Sequence, residues 1–201
     1  MRTERNKDGS WNVWMSRDEY QVLPREAETF EREVAIRLMG DCGLRVQEVL
    51  DVKPKHIQRM SDGEHFELEV VAGKDTTGEY DEGKHRETWL PRDVEATINR
   101  YIQEAGLDEN DALVPRSKRT VQYWVEDAAK RAAEETGDQD YQRVSTHDLR
   151  RCWANHLLVE ENVSPRIVMA LGGWSSYDAI EPYLAAPTEE NIISSMDSVA
   201  L

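Results

Sequence analysis

The sequence lacks any apolar run that approaches the ~18 residues a membrane-spanning helix needs. Its first residues carry no hydrophobic segment behind their charges, so no secretory signal is predicted. Only two cysteines are present, Cys42 and Cys152, and their apolar-patterned surroundings favour two reduced, buried thiols over a disulfide. No Cys/His pair has the spacing of zinc ligands, so we expect no metal and no cofactor. These absences predict a cytoplasmic protein.

Positive charge is also scarce: 40 Asp and Glu residues outnumber 25 Lys and Arg, which gives a net charge of −15 and a pI of about 4.8. Taken alone, this balance argues against a nucleic-acid partner, because phosphate binding needs a basic surface. Arginine far exceeds lysine, and an excess of carboxylates with few lysines is expected of a halophilic protein. In 1 M salt the Debye length is roughly 3 Å, which screens repulsion between surface carboxylates. An acidic protein from a low-salt environment is the alternative.

The chain is long enough for one domain, and six Trp, seven Tyr and two Phe supply large core side chains. Apolar and acidic residues alternate over 66–70, and a Gly-containing stretch separates them from 85–90, which predicts a β-hairpin with a long loop. Helical spacings begin near Pro24 and recur along the rest of the chain. We therefore predict a mainly α fold with a small antiparallel β-sheet (α+β). The predicted division is an irregular segment over residues 1–20, a domain over 21–186 and a tail over 187–201.

Capping residues predict where the later helices begin. Thr146 is the expected N-cap of a helix over 147–161. Ser176 is the expected cap of a last helix that bears Tyr183, and Pro182 should distort that helix.

Five short motifs occur in an informative order along the chain. Each alone has an ordinary structural explanation, because an Arg–Glu pair three residues apart is often a surface helix pair, most loop lysines are solvated, and an isolated tyrosine is usually structural. The motifs are Gly43-Leu44-Arg45 with Glu48, Gly73-Lys74, His147 with Arg150, Leu171-Gly172-Gly173-Trp174, and Tyr183.

Together these motifs resemble the tyrosine recombinase (phage integrase) family, whose pattern is Arg, Lys, His, Arg, His-or-Trp and Tyr in chain order. The resemblance runs from about Trp14 to Leu184 and includes the nine-residue spacing from Trp174 to Tyr183. It implies the DNA breaking-rejoining catalytic fold for residues 21–186. It also implies a site-specific DNA recombinase or integrase that cleaves and rejoins DNA through a 3′-phosphotyrosyl intermediate, without metal or ATP.

The resemblance implies a role for each matching residue. Tyr183 is the nucleophile that attacks the phosphodiester, and Arg45 and Arg150 are permanently charged forks that clamp phosphate oxygens. His147 assists proton movement at the attacking hydroxyl or donates to a phosphate oxygen. Trp174 offers its indole N–H and packs beside the nucleophile.

The lysine that acts as general acid for the 5′-oxygen has two candidates. Lys74 is preferred because it directly follows the first strand of the hairpin, and Lys84 is the alternative. Glu48 is expected to brace Arg45 rather than to perform chemistry. Three further cations are equally compatible with phosphate contact and with solvated surface positions; they are Arg116, Lys118 and Arg119.

The resemblance further implies double-stranded DNA as the partner, with a homotetramer on two DNA sites and a monomer when free. Family members usually carry an N-terminal helical domain that clamps the DNA. Here about 20 residues precede the catalytic pattern, which indicates either an excised domain or a short natural protein. The tail, with Ile192, Ile193 and Met196 on one side, packs either on its own body or on a neighbouring protomer.

Two other functions remain open at this point: a type IB topoisomerase, which uses similar chemistry, and a non-catalytic DNA-binding regulator on a recombinase-like fold. An acidic helical interaction domain is the third alternative, and it requires the ordered motif matches to be accidental. For the recombinase reading we expect a basic cleft around Arg45, Lys74, His147 and Arg150 within an otherwise acidic surface.

Overall fold

Helices dominate the fold in a computed structural model that describes residues 1–73, 84–184 and 189–197. The α-helices there are α1 (Arg17–Arg25), α2 (Phe30–Gly40), α3 (Val46–Asp51), α4 (Arg92–Ala105), α5 (Lys118–Thr136), α6 (Thr146–Asn155), α7 (Pro165–Gly172), α8 (Tyr177–Ile180) and α9 (Glu189–Asp197). The strands are β1 (Arg2–Arg5), β2 (Trp11–Trp14), β3 (Ile57–Arg59), β4 (Phe66–Gly73) and β5 (Lys84–Leu90). The predicted mainly α fold with small antiparallel sheets is confirmed. No helix of the described ranges is both long and apolar enough to cross a membrane.

The N-terminal segment corrects one prediction. Residues 1–20 were expected to be irregular, but β1 and β2 pair as an antiparallel hairpin and α1 begins at Arg17. The hairpin buries Val13 and Trp14 against the body of the protein. Ser16 and Glu19 form a reciprocal capping box at the start of α1. That Ser-x-x-Glu spacing is the local signal from which α1 was predictable.

The larger sheet has the order β3-β4-β5, with both pairs antiparallel. The predicted hairpin over 66–90 is therefore confirmed, whereas the short strand β3 was not predicted. Its strands pair as far as Gly73 opposite Lys84. Lys74 lies outside the described residues. Side chains alternate between exposed and buried along β5, and this alternation places Arg86 in the interior.

Two hydrophobic clusters hold the helices together. The main cluster joins α1, α2, α4, α5 and α6 to the larger sheet and contains Cys42 and Cys152, which are both buried and free, as predicted. The smaller cluster packs α6, α7 and α8 around Trp153 and Trp174, with Tyr183 partly buried against it.

Helix boundaries near the C-terminal half follow the predicted caps closely, with two corrections. Ser145, not Thr146, is the residue that caps α6, and α6 gives way to a π-helical turn over His156–Glu160. Ser176 caps α8 as predicted, but α8 ends at Ile180 and a single 3₁₀ turn follows.

Gly43, in the turn between α2 and α3, is required by both backbone and packing. Its φ of +71° lies in the left-handed region that disfavours residues with a Cβ. A Cβ there would lie 2.5 Å from ring carbons of Trp153. Its carbonyl oxygen accepts a hydrogen bond from Arg150, so the turn also positions a charged side chain.

Replacement of Gly43 by alanine should therefore lower the free energy of unfolding by about 2–5 kcal/mol, since left-handed strain and overpacking of the Trp153 ring add. Gly137→Ala is the matched control, because Gly137 has φ +75° with nothing within 4 Å of the added Cβ. It should cost only about 1–2 kcal/mol. Urea unfolding of both variants measures the difference, and equal losses would contradict the packing argument.

Candidate active site

A cleft of about 770 Å³ brings together residues from four separate parts of the chain. Its lining includes every sequence-predicted site residue whose side chain is described: Arg45, Glu48, His147, Arg150, Trp174 and Tyr183. Of the two candidate lysines, Lys74 lies outside the described residues and Lys84 is placed only by its backbone in β5.

Arg45 is positioned by the start of α3. It occupies the N-cap position, where its backbone N–H donates to Glu48 Oε2 at 2.7 Å and its Nη1 donates to Glu48 Oε1 at 2.8 Å. Glu48 therefore braces Arg45 through both main chain and side chain, as the sequence predicts. The Arg45 side chain keeps about a quarter of its surface exposed, which leaves it accessible from the cleft.

Glu48 has a second, buried partner that the sequence analysis missed. Arg86 donates from Nη1 and Nη2 to the two Glu48 oxygens, each at 2.9 Å, and from Nε to the Leu171 carbonyl at 2.8 Å. Burial raises the pKa of Glu48, but Arg86 and Arg45 outweigh it and lower the pKa from 4.5 to about 2. The sequence signal for Arg86 is its position in β5, where the alternation of exposed and buried residues places an arginine on the inward face.

Arg150 is almost fully buried, with 1% of its surface exposed. Its guanidinium donates to the carbonyl oxygens of Gly43 and Gly172 and lies 4.1 Å from the ring centroid of Trp174. Burial and the nearby charge of Arg45 lower the pKa of Arg150 to about 9, so the side chain stays protonated at neutral pH. Within the described residues, its Nε has no hydrogen-bond partner.

Three aromatic rings meet beside these arginines. The Tyr183 ring lies 5.0 Å from that of His147 and 5.1 Å, edge-on, from that of Trp174, measured between centroids. Trp174 stacks in turn on Trp153 at 5.9 Å. Burial and the charge of Arg151 lower the pKa of His147 below its ordinary 6.5, so its imidazole is neutral at neutral pH.

Tyr183 lies on the 3₁₀ turn Glu181–Tyr183 that follows α8, where Pro182 occupies an early position. The predicted distortion by Pro182 is thus seen as a change of helix type. The indole N–H of Trp14 donates to the Tyr183 carbonyl at 3.3 Å, which ties this turn to the N-terminal hairpin.

The charge of the cleft differs from that of the whole chain. Among the described residues, its lining carries three cationic side chains, Arg45, Lys118 and Arg150, and one carboxylate, Glu48, which is already paired. Lys118 was one of three cations that the sequence left open. The other two make ion pairs on the surface, Arg116 with Glu31 and Arg119 with Glu126.

The chain matches one protein-family model, described as the phage integrase family, over residues 13–190. No curated protein matches it in sequence. Solved structures similar to it include XerA recombinase, at TM-score 0.71 and 20% identity, and the Tn1549 transposon integrase in complex with transposon right-end DNA, at 0.71 and 15%. In both comparisons the alignment covers 94% of this chain and 66% of the other.

A lambda integrase dimer bound to a core site is also similar, at TM-score 0.56 and 19% identity, with 86% of this chain and 59% of that chain covered. These identities support a shared fold. The chain spans slightly less than two thirds of the length of the XerA and Tn1549 chains in these structures.

Glu48→Gln should lower the free energy of unfolding by about 3 kcal/mol near pH 7, because it leaves Arg86 buried without its counter-charge. The folded-state pKa of about 2 lies below 4.5, so the stabilisation is complete above pH 4.5 and is lost as the pH falls towards 2. Urea unfolding across this pH range should therefore show that the unfolding free energies of the wild type and of Glu48→Gln become equal in acid. Glu87→Gln, an exposed neighbour on β5, should change little. If the difference in unfolding free energy between the wild type and Glu48→Gln did not depend on pH, Glu48 would not be the ionised counter-charge of Arg86.

Proposed function

The chain belongs to the phage integrase family, and from that premise we propose that it is a site-specific DNA recombinase or integrase that uses Tyr183 as its nucleophile. The observation that carries the proposal is the convergence of Tyr183, His147, Arg45 and Arg150 on one cleft of positive charge. Double-stranded DNA is the proposed substrate, and its phosphodiester enters that cleft.

In the proposed reaction the Tyr183 hydroxyl attacks the phosphorus and the bond to the 5′-oxygen breaks. The products are a 3′-phosphotyrosyl link and a free 5′-hydroxyl. Attack by a 5′-hydroxyl from another strand reverses the step and rejoins DNA. The phosphotyrosyl link retains the free energy of the broken bond, so the proposed cycle needs no ATP. The arginines of the cleft take the place of the positive charge that a metal ion supplies in other phosphoryl-transfer sites.

The arginines supply the positive charge that the pentacoordinate phosphate requires. Arg150 is held in place by the carbonyls of Gly43 and Gly172, and Arg45 by Glu48, so neither needs to reorganise when charge develops. Such preorganised donors contribute on the order of 3 kcal/mol each to transition-state stability.

His147 and a lysine complete the proton movements. Because burial and nearby arginines lower the pKa of His147, its neutral imidazole can accept the proton that leaves Tyr183. We assign the proton for the departing 5′-oxygen to Lys74, which directly follows the end of β4, with Lys84 as the alternative. Trp174 packs edge-on against the Tyr183 ring and limits its orientation.

The partner and assembly follow from the same proposal. The Tn1549 integrase and the lambda integrase in the comparison are each bound to DNA, and the lambda integrase is a dimer on its core site. For this chain we propose a homotetramer on two DNA sites and a monomer in the absence of DNA.

The composition supports a halophilic setting for this activity. Among the described residues only three acidic side chains are buried, namely Asp41, Glu48 and Asp148, so the excess negative charge lies mostly at the surface. At low ionic strength that charge repels DNA, whereas at about 1 M salt the Debye length of roughly 3 Å confines the repulsion to close contacts. In the proposed complex Arg45 and Arg150 still meet the phosphate directly.

Tyr183→Phe should abolish formation of an SDS-resistant protein–DNA adduct on a suicide substrate, lowering the yield at least about 10³-fold, because no hydroxyl is left to attack phosphorus. Tyr177→Phe is the matched control, since Tyr177 is exposed at the start of the neighbouring helix α8, and it should leave the yield unchanged.

The adduct assay is run in dilute KCl and in about 2 M KCl, because the Debye length, and with it the repulsion between the acidic surface and DNA, differs severalfold between these solutions. An adduct that persists in Tyr183→Phe would contradict the assignment of the nucleophile. Wild-type protein that binds DNA without any adduct in either salt would favour a non-catalytic DNA-binding regulator.

Lys74→Ala should slow cleavage of an ordinary phosphodiester by about 10²–10⁴-fold, the usual contribution of a general acid. A substrate with a bridging 5′-phosphorothiolate should restore its rate towards that of the wild type, because a thiolate leaves without protonation. Lys84→Ala is the paired variant and should show no such rescue. If the phosphorothiolate substrate restored the rate of Lys84→Ala and not that of Lys74→Ala, Lys84 would be the general acid.

A further inference from the structure

We propose that Trp14 and Arg151 are positioning residues that connect the N-terminal hairpin to the nucleophile turn, Glu181–Tyr183, and fix where the Tyr183 hydroxyl lies in the cleft. The inference rests on the proposed function of Tyr183. Neither Trp14 nor Arg151 is expected to touch DNA, and both act through the backbone and ring of Tyr183.

The nucleophile turn is short. Helix α8 is only four residues long, and a single 3₁₀ turn follows it, which ends with a hydrogen bond from the Leu184 N–H to the Glu181 carbonyl at 3.0 Å. The Trp14 indole N–H therefore supplies an additional anchor, donating to the Tyr183 carbonyl at 3.3 Å from a residue 169 positions away. Trp14 is 7% exposed, so the donor of this part-buried hydrogen bond is largely shielded from water.

The guanidinium of Arg151 lies near both aromatic rings, those of Trp14 and Tyr183. Its guanidinium carbon is 5.2 Å from the ring centroid of Trp14 and 6.0 Å from that of Tyr183. Asp148 pairs with its Nη1, and Asn12 of strand β2 accepts from its Nη2 at 2.8 Å. With 4% of its surface exposed, Arg151 has little freedom, so it fixes the separation of the two rings.

Asp148 links the N-terminal hairpin to helix α6, which carries other residues of the site. Its carboxylate is fully buried and accepts from the Val13 backbone N–H at 3.0 Å and from the Ser145 N–H at 2.9 Å. The same helix, α6, carries His147 and Arg150. One buried carboxylate thus aligns strand β2, which holds the turn of Tyr183, with the helix that supplies its catalytic neighbours.

The second tryptophan of the hairpin has different contacts, which makes it a matched control. Trp11 packs with Arg143, at 4.0 Å from guanidinium carbon to ring centroid, and with Arg5 at 6.0 Å. Both tryptophans lie on β2, Trp11 half-buried and Trp14 buried, but only Trp14 donates to the nucleophile turn. If Trp14 acted only by stabilising the hairpin, Trp14→Phe would change exchange over 177–184 only together with exchange over 11–14.

The test compares Trp14→Phe, which keeps an aromatic ring and removes the N–H, with Trp11→Phe. Amide hydrogen exchange over residues 177–184 reports on the turn without requiring any reaction. The rate of adduct formation on a suicide DNA substrate and the Kd for uncleaved DNA separate positioning from binding. Exchange over residues 11–14 shows whether the hairpin stays paired.

We expect Trp14→Phe to speed exchange over 177–184 by at least about 10-fold and to slow adduct formation by roughly 10- to 100-fold, since small misplacement of a reacting group is costly. The DNA Kd and the exchange over 11–14 should stay within about twofold of wild type, because no DNA contact and no strand pairing is lost. Trp11→Phe should leave the exchange over 177–184 and the adduct rate unchanged.

Unchanged exchange over 177–184 and an unchanged adduct rate in Trp14→Phe would overturn the proposal, as would equal effects of the two tryptophan variants. If Trp14→Phe does not fold, Arg151→Lys replaces it, since lysine keeps the charge but loses the planar contact with both rings, and the same outcomes apply. Absence of an adduct in the wild type would contradict the proposed function, while the exchange comparison would still decide whether Trp14 holds the turn.

Discussion

The buried carboxylate of Glu48 is the constraint on which the cleft depends. Three guanidinium groups, those of Arg45, Arg86 and Arg150, are gathered in a region of low dielectric, where like charges repel strongly. Glu48 binds two of them directly, and its lowered pKa shows that this attraction exceeds the cost of burying it. The remaining arginine is held differently, by neutral carbonyl oxygens, one of them from Gly172 at the C-terminal end of α7. A helix C-terminus carries partial negative charge, so it orients Arg150 without cancelling its full positive charge.

This division of partners explains how a chain with a net charge of −15 presents a positive cleft. Several arginines outside the cleft are paired with carboxylates, as Arg116 is with Glu31. Among the described lining residues the cations outnumber the carboxylate, so this part of the cleft carries surplus positive charge. Net charge therefore describes the surface as a whole, whereas the local arrangement of charged side chains sets the charge of the cleft.

The sequence predicts this arrangement unevenly, for physical reasons. Arg45 with Glu48, and His147 with Arg150, lie three residues apart on helices, so local geometry alone places each pair on one face. The hairpin of residues 66–90 is likewise encoded by local alternation. The same alternation marks Arg86 as inward-facing, but it does not give the partner of Arg86 or that of Trp14, because both partners are distant in sequence and an arginine in a strand or a tryptophan near a terminus has many possible partners. Their roles emerge only when tertiary packing sets β5 against α3 and β2 against the nucleophile turn.

The same long-range hydrogen bonds join the elements around the cleft into one network. Arg86 joins Glu48 to the Leu171 carbonyl, and Arg150 joins the Gly43 turn to the adjacent Gly172 carbonyl, so α3, β5, α6 and the end of α7 share their anchors. Removing one member of the network changes the positions of the others, because an arginine would then lose a hydrogen-bond acceptor or lie next to a charge that is no longer paired. The effects of substitutions within this network should consequently be strongly non-additive. Substitutions at its outer cations, such as Lys118, which has no anchor in the network, should instead add independently to the effects of the others.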